Sequence, residues 1–275
     1  MSSPLLAHKH YDAASVFTAE NLLREARRQK SIAGGEIPAV CVLDPDGDLA
    51  AYLEDSGQAT RHPSWACYHT RLLAYDDGTT QFGIVPYAVG ASFAVLVAEE
   101  LFASGCQLLI SVTSAGQITP IGQPPYFVLI ERALRDEGTS HHYLPPAPYS
   151  TLRPALASCL TAAFDHLPTP MHRGVMWTTD APFRETPEAI RHAQSEGILG
   201  VEMESAALYA FAEAQSKAVV CFAHITNQMA QIDGDFEKGA DQGNQHVLAV
   251  IAATARAWQK QQHEQRQGQQ PVSAG

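Results

Sequence analysis

Two carboxylates flank a methionine in the segment Gly197-Ile-Leu-Gly-Val-Glu202-Met203-Glu204-Ser-Ala-Ala-Leu-Tyr-Ala-Phe-Ala, at the point where a loop becomes an Ala-rich helix. A carboxylate accepts hydrogen bonds from two vicinal hydroxyls, and a thioether makes an apolar, polarizable floor. Together they suit a ribose whose anomeric carbon gains positive charge. Carboxylates in so apolar a setting are costly unless paired or hydrogen-bonded. Taken alone, a Glu-x-Glu at a helix start has a plainer use: negative charge is favoured at a helix N-terminus.

Three other polar blocks follow apolar runs. Ser111-Val-Thr113-Ser114-Ala-Gly116-Gln breaks a buried strand with small polar residues and a glycine. Hydroxyls and backbone N–H groups there suit an oxyanion, although an ordinary strand-to-helix turn has the same composition. Trp177-Thr-Thr-Asp180-Ala-Pro-Phe183-Arg184 offers an aromatic that stacks on a flat ring or closes a core. His224-Ile-Thr-Asn227-Gln228-Met offers amides for a base edge, or a polar loop cap. Ligands of open α/β sheets bind beyond the carboxyl ends of strands, so one sheet edge would collect all four blocks.

The elements that must position these residues alternate. Helices are predicted over 19–30 (with Thr18 as N-cap), 91–103, 152–164, 187–195, 203–214 and 245–258. Strands are predicted over 37–43, 107–113, 126–131, 172–177 and 218–225, with a hairpin formed by 68–74 and 80–86. Asp44-Pro-Asp-Gly reads as a turn. Several strands are apolar on both faces, which predicts a covered central sheet in an α/β layer architecture. One domain spans 1–258, and the Gln-rich segment 259–275 is expected to be a disordered tail.

Composition narrows the function. Hydrophobic residues make up 45% of the 275 and charged residues 17%, enough apolar content for a core. Twenty-nine acidic against 18 basic residues give a formal charge of −11, which speaks against a nucleic-acid face. The stretch Gly83–Ala98 is too short and broken to span a membrane, and no secretory signal is visible, so a cytoplasmic location is expected. The five cysteines are far apart, which predicts reduced thiols and no zinc site. Gly-x-Gly-x-x-Gly, Walker-type, His-Glu-x-x-His and Gly-x-Ser-x-Gly motifs do not occur, and no cofactor or metal is expected.

Taken together, the blocks resemble the nucleoside phosphorylase superfamily, which includes uridine phosphorylase, the hexameric bacterial purine nucleoside phosphorylases and related nucleosidases. Gly-Val-Glu-Met-Glu-Ser-Ala-Ala-Leu at 200–208 carries the resemblance, and the order of the other blocks fits from about Gly83 to Trp258. The resemblance implies a single α/β domain with a mixed, barrel-like sheet flanked by helices, and a homo-oligomer (dimer to hexamer) with shared sites. It implies cleavage of a nucleoside's N-glycosidic bond with phosphate as co-substrate, in the manner of uridine phosphorylase. Glu202, Met203 and Glu204 would contact the ribose, with Glu204 on the 2′- and 3′-hydroxyls. Ser114 and Gly116 would hold phosphate, Phe183 and Thr113 would contact the base, and Asn227 and Gln228 would hydrogen-bond the departing base.

The chain departs from the family pattern at several points. Asn227 stands where purine enzymes carry an acid that protonates the base, and Gln228 where uridine phosphorylases carry an arginine. Ser111 replaces the arginine that opens the phosphate block, and Asp44-Pro-Asp-Gly-Asp-Leu replaces the early Gly-x-Pro-x-Arg loop. Arg61, Arg71 and Arg184 are the candidates to replace those charges, Arg61 from a neighbouring subunit among the options. The missing arginines keep a water-using nucleosidase in view, with Glu36, Glu54 and Glu99 as possible bases, and so also a nucleoside-binding protein without turnover.

Overall fold

The computed structural model describes residues 4–229, 233–236 and 238–268. In chain order the elements are α1 (Ala19–Lys30), β1 (Val40–Asp44), α2 (Asp48–Asp55), β2 (Ala59–Arg61), β3 (Leu73–Asp76), β4 (Gln81–Pro86), α3 (Ala91–Ala103), β5 (Leu108–Gln117), β6 (Tyr126–Asp136), α4 (Ser140–Tyr143), β7 (Tyr149–Thr151), α5 (Pro154–Cys159), β8 (Met171–Thr179), α6 (Pro187–Ser195), β9 (Ile198–Glu202), α7 (Ser205–Ala214), β10 (Ala218–Asn227) and α8 (Asn244–Gly268).

One sheet unites the ten strands. β5, β10, β6, β8 and β9 close on themselves, because β5 pairs with both β10 and β9. This ring is the barrel-like distortion that the resemblance implies. β1, β4, β3 and β2 extend it as an open wing from β5, and β7 adds to β6. Parallel and antiparallel pairings mix: β5 runs parallel to β1 and β10, while β10 meets β6 antiparallel. The single mixed α/β domain agrees with the expected fold class.

The central strands are apolar on both faces because both are covered. Every residue of Val40–Asp44 is buried, and so are nine of the ten residues of Ala218–Asn227. One continuous core runs from Ile37 to Trp258 and takes in α3 and α7. α7 is buried from Ser205 to Ala212, and its alanines let it lie close to the sheet. Among the described residues no helix is long and apolar enough to cross a membrane.

Local chemistry explains where boundaries fell. The Thr18 side chain accepts from the Asn21 N–H and starts α1 as expected. α3 and α6 also match the sequence reading. Three expectations are corrected. The helix expected over 152–164 spans only Pro154–Cys159, and the turn after it takes the rest. The helix expected from Met203 starts at Ser205, because residues 202–204 still form the connection from β9. The expected tail does not begin at Gln259, since α8 continues to Gly268. Gln, Lys and Arg are good helix formers without being apolar. Gln259 also exchanges hydrogen bonds with Thr80, and the Gln261 side chain donates to the Ala155 carbonyl. The remainder of the expected tail, 269–275, lies outside the described residues.

Candidate functional site

β5 changes partners along its length. Its pairing with β1 ends at Leu43 and Ser111, and its pairing with β9 begins at Gly116. Val112 to Ala115 is therefore left unpaired by both, while the Asp44–Gly47 turn leaves the sheet beside it. A cleft of about 430 Å³ opens at this gap. It collects residues of all four polar blocks: Thr113, Ser114 and Gly116; Phe183; Glu202, Met203 and Glu204; and Asn227. The sequence expectation of one shared sheet edge holds for these eight positions. A Cβ at Gly116 would lie 2.3 Å from the Met229 sulfur, the flexible end of a side chain that also lines the cleft.

At one wall the two carboxylates have different partners. Glu202 is 3% exposed and works as the cap of α7. Its Oε2 accepts from the Glu204 and Ser205 N–H groups at 2.8 Å each, and its Oε1 accepts from the Thr178 hydroxyl. Glu204 reaches into the cleft. Its Oε1 accepts from the Gly90 N–H at 2.7 Å and its Oε2 from the Met203 N–H at 3.3 Å. Burial, and then the neighbouring Glu202 charge, push the Glu204 carboxyl above its ordinary range, and the Thr113 hydroxyl partly offsets this. Thr113 thus stands beside the Glu204 carboxyl, not with Phe183 as the expected base contact. Gly90 adopts φ 85, a left-handed conformation that suits glycine, so its N–H is aimed by the turn that starts α3.

At the other wall Phe183 is 99% exposed, a bare aromatic face at the cleft mouth. Glu185 lines the cleft next to it, and burial pushes its carboxyl up to about 7. Asn227 is held by its own loop: its Oδ1 accepts from the Met229 N–H at 3.0 Å, and its Nδ2 donates to Thr226 at 3.2 Å. Gln228 does not join it. That residue is exposed outside the cleft lining, and its N–H donates to the Asp235 carboxylate at 2.8 Å. The residue pair expected at the base edge is therefore reduced to Asn227, because the chain turns outward after β10.

The third wall is the Asp44–Asp48 turn. Asp44 caps α2 by accepting from the Gly47 and Ala50 N–H groups, and burial raises its carboxyl to about 7. Asp46 points into the gap. Its Oδ2 accepts from the Ser114 N–H at 3.1 Å and meets Lys238 Nζ at 2.9 Å. Lys238 also meets Asp48 at 2.5 Å. Burial lowers the Lys238 ammonium, but the two aspartates outweigh it and hold the charge on. Among the described residues at this turn, three carboxylates and one ammonium leave no surplus positive charge for a phosphate dianion. Among the described residues no arginine or lysine lines the cleft itself.

The replacement arginines lie elsewhere. Arg61 is exposed on β2 in the open wing, Arg71 pairs with Glu54 at 2.7 Å, and Arg184 is exposed beside Phe183 without lining the cleft. The carboxylates considered as water-activating bases lie elsewhere too. Glu54 is held by Arg71, Glu99 accepts from the Tyr143 hydroxyl, and Glu36 lines a separate groove near Trp258. Asp46, Glu185 and Lys238 were not singled out from the sequence. The signal for Asp46 was present in Asp44-Pro-Asp-Gly, but turn chemistry explained that motif completely.

The fold is an α/β domain with a cleft at the strand ends where β5 passes from β1 to β9. The family model for the phosphorylase superfamily matches residues 40–257, and the chain belongs to that superfamily. An uncharacterised protein of Acanthamoeba polyphaga mimivirus is 26% identical over 157 residues, covering 57% of this chain and 60% of that protein. The chain thus spans about 60% of the length of that relative. Uridine phosphorylase from Vibrio fischeri has a similar fold, with a TM-score of 0.65 at 21% identity over 90% of this chain and 97% of that one. The same enzyme complexed with 6-hydroxy-1-naphthoic acid gives a TM-score of 0.62 at 21% identity, covering 81% and 88%.

Proposed function

We propose that this protein cleaves the N-glycosidic bond of a nucleoside in the cleft between Glu204 and Phe183. The observation that carries the reading is Glu204, a buried carboxylate aimed into the cleft by the Gly90 N–H, with Met203 beside it. It accepts the 2′- and 3′-hydroxyls of the ribose, Met203 floors the sugar, and the exposed Phe183 ring stacks on the base. Asn227 contacts the base edge. Catalysis comes from positioning the sugar and stabilising its developing positive charge.

Phosphate is the attacking group that the family resemblance implies, in a uridine phosphorylase-like pentosyl transfer with no cofactor. Ser114 and Gly116 line the cleft where it would sit, and Arg61 of a neighbouring copy supplies charge if the protein is a homo-oligomer with shared sites. Such an enzyme works in the cytoplasm. Water is the second reading, and one observation favours it: the Ser114 N–H is already taken by Asp46. Incubating the protein with purine and pyrimidine nucleosides, with and without phosphate, and chromatographing base and sugar tests the proposal. Free base is the expected result. Nucleoside binding with no base released over hours would make the protein a binder and overturn it.

A further inference from the structure

Among the described residues, four carboxylates line the proposed cleft: Asp46, Glu185, Glu202 and Glu204. Two are accounted for, Glu202 as the α7 cap and Glu204 as the sugar acceptor. The other two lie toward different ends. Asp46 also borders a small adjoining cavity with Thr113, Ser114 and Lys238, and Glu185 also borders a recess with Phe183, Ile190 and Met229. Met203 and Glu204 line the same cleft as both of them. An acid and a base on opposite sides of a glycosidic carbon are what direct displacement by water requires.

Resting on the nucleoside-cleaving reading, we propose that the chain is a hydrolase in which Asp46 is the general base that activates water and Glu185 is the general acid that protonates the departing base. Asp46 fills the anion position with the protein's own carboxylate. Its Oδ2 holds the Ser114 N–H, and Lys238 neutralises it there. A phosphate would have to displace this pair and then sit against Asp46 and Asp48. A neutral water meets no such barrier, and a carboxylate fixed by two donors is placed to take its proton. Burial leaves Glu185 a proton to give near neutral pH.

The step balances without any further reactant. The water oxygen bonds to C1′ and gives one proton to Asp46. The C1′–N bond breaks, its electron pair leaves with the base, and the base nitrogen takes the Glu185 proton. Solvent returns the proton from Asp46 to Glu185, and the products are free ribose and free base.

The test uses the full chain with uridine and inosine in 18O-labelled water, with and without phosphate. The expected result is base release without phosphate, free ribose carrying one 18O at C1′, and no ribose 1-phosphate when phosphate is added. Phosphate-dependent release with ribose 1-phosphate would overturn this inference and leave nucleoside cleavage standing. No release in either buffer would overturn both. Asp46→Asn should lower kcat about a hundredfold with KM nearly unchanged. Glu185→Gln should slow nucleosides but spare a p-nitrophenyl riboside, whose leaving group needs no proton. Wild-type kcat in the first variant, or equal slowing of both substrates in the second, would contradict the respective assignment.

Discussion

Glu202 and Glu204 sit two residues apart in one motif and do different work. The sequence offered a helix cap and a sugar clamp as competing explanations; the structure gives the first to Glu202 and leaves the second for Glu204. The division follows from β9, which ends at Glu202 and sets its side chain against the N–H groups that open α7. Glu202→Ala leaves two N–H groups and the Thr178 hydroxyl buried without their acceptor. The expected cost is about 3 kcal/mol of folding stability, read as a lower denaturant midpoint. Retention of wild-type stability would return Glu202 to the list of free ligand groups. Residue types pointed to Met203 and Glu204 as cleft residues, because a paired acid and thioether are unusual at a helix start. They hid Asp46, because Asp-Pro-Asp-Gly is complete as a turn and nothing in it predicts contact with Ser114, 68 residues away.

The element that decides the site is β5, which leaves β1 and joins β9. Its apolar run predicts a strand over 107–113, and the strand continues to Gln117 through the small polar residues that follow. β9 itself, Ile198–Glu202, was hidden in the sequence because it is short and leads directly into the motif. α2 was hidden behind the turn that caps it. Ring closure depends on Gly200: a Cβ there would lie 2.7 Å from the Gly116 carbonyl oxygen and 2.9 Å from Ile225 Cδ1. Because the first of these is backbone, it cannot rotate away. Gly200→Ala is expected to cost about 1–3 kcal/mol and to loosen β5 from β9. Hydrogen exchange at Gly116 and Gln117 reads that opening, and unchanged protection there would refute the role given to Gly200.

Across the whole molecule, the −11 charge is partly concentrated in carboxylates that folding buries. Asp44 and Glu185 are pushed up to about 7, and Glu202 and Glu204 are also raised, each chiefly by burial. A carboxyl whose folded pKa lies above its unfolded value binds more protons when folded. Its stabilising contribution is present at low pH and is lost as pH rises through the folded value. His224, lowered to about 4 by burial, acts oppositely, but only below its ordinary 6.5. Between pH 6.5 and 8 the carboxyls act without that opposition, so Tm of the ligand-free protein should fall over this interval. Asp44→Asn should flatten the fall, and a Tm that rises with pH would refute the burial of these charges. At the same scale, light scattering should find the dimer-to-hexamer assembly proposed for the chain, and a monomer at all concentrations would remove Arg61 as a contributor to the cleft. The most direct test of the central claim is calorimetric titration with uridine and inosine analogues whose glycosidic bond is carbon–carbon, so that they survive the measurement. The wild-type protein should bind, and Glu204→Gln should weaken binding about tenfold to a hundredfold while remaining folded. Equal affinity in the two proteins would contradict the ribose clamp and with it the proposed nucleoside site.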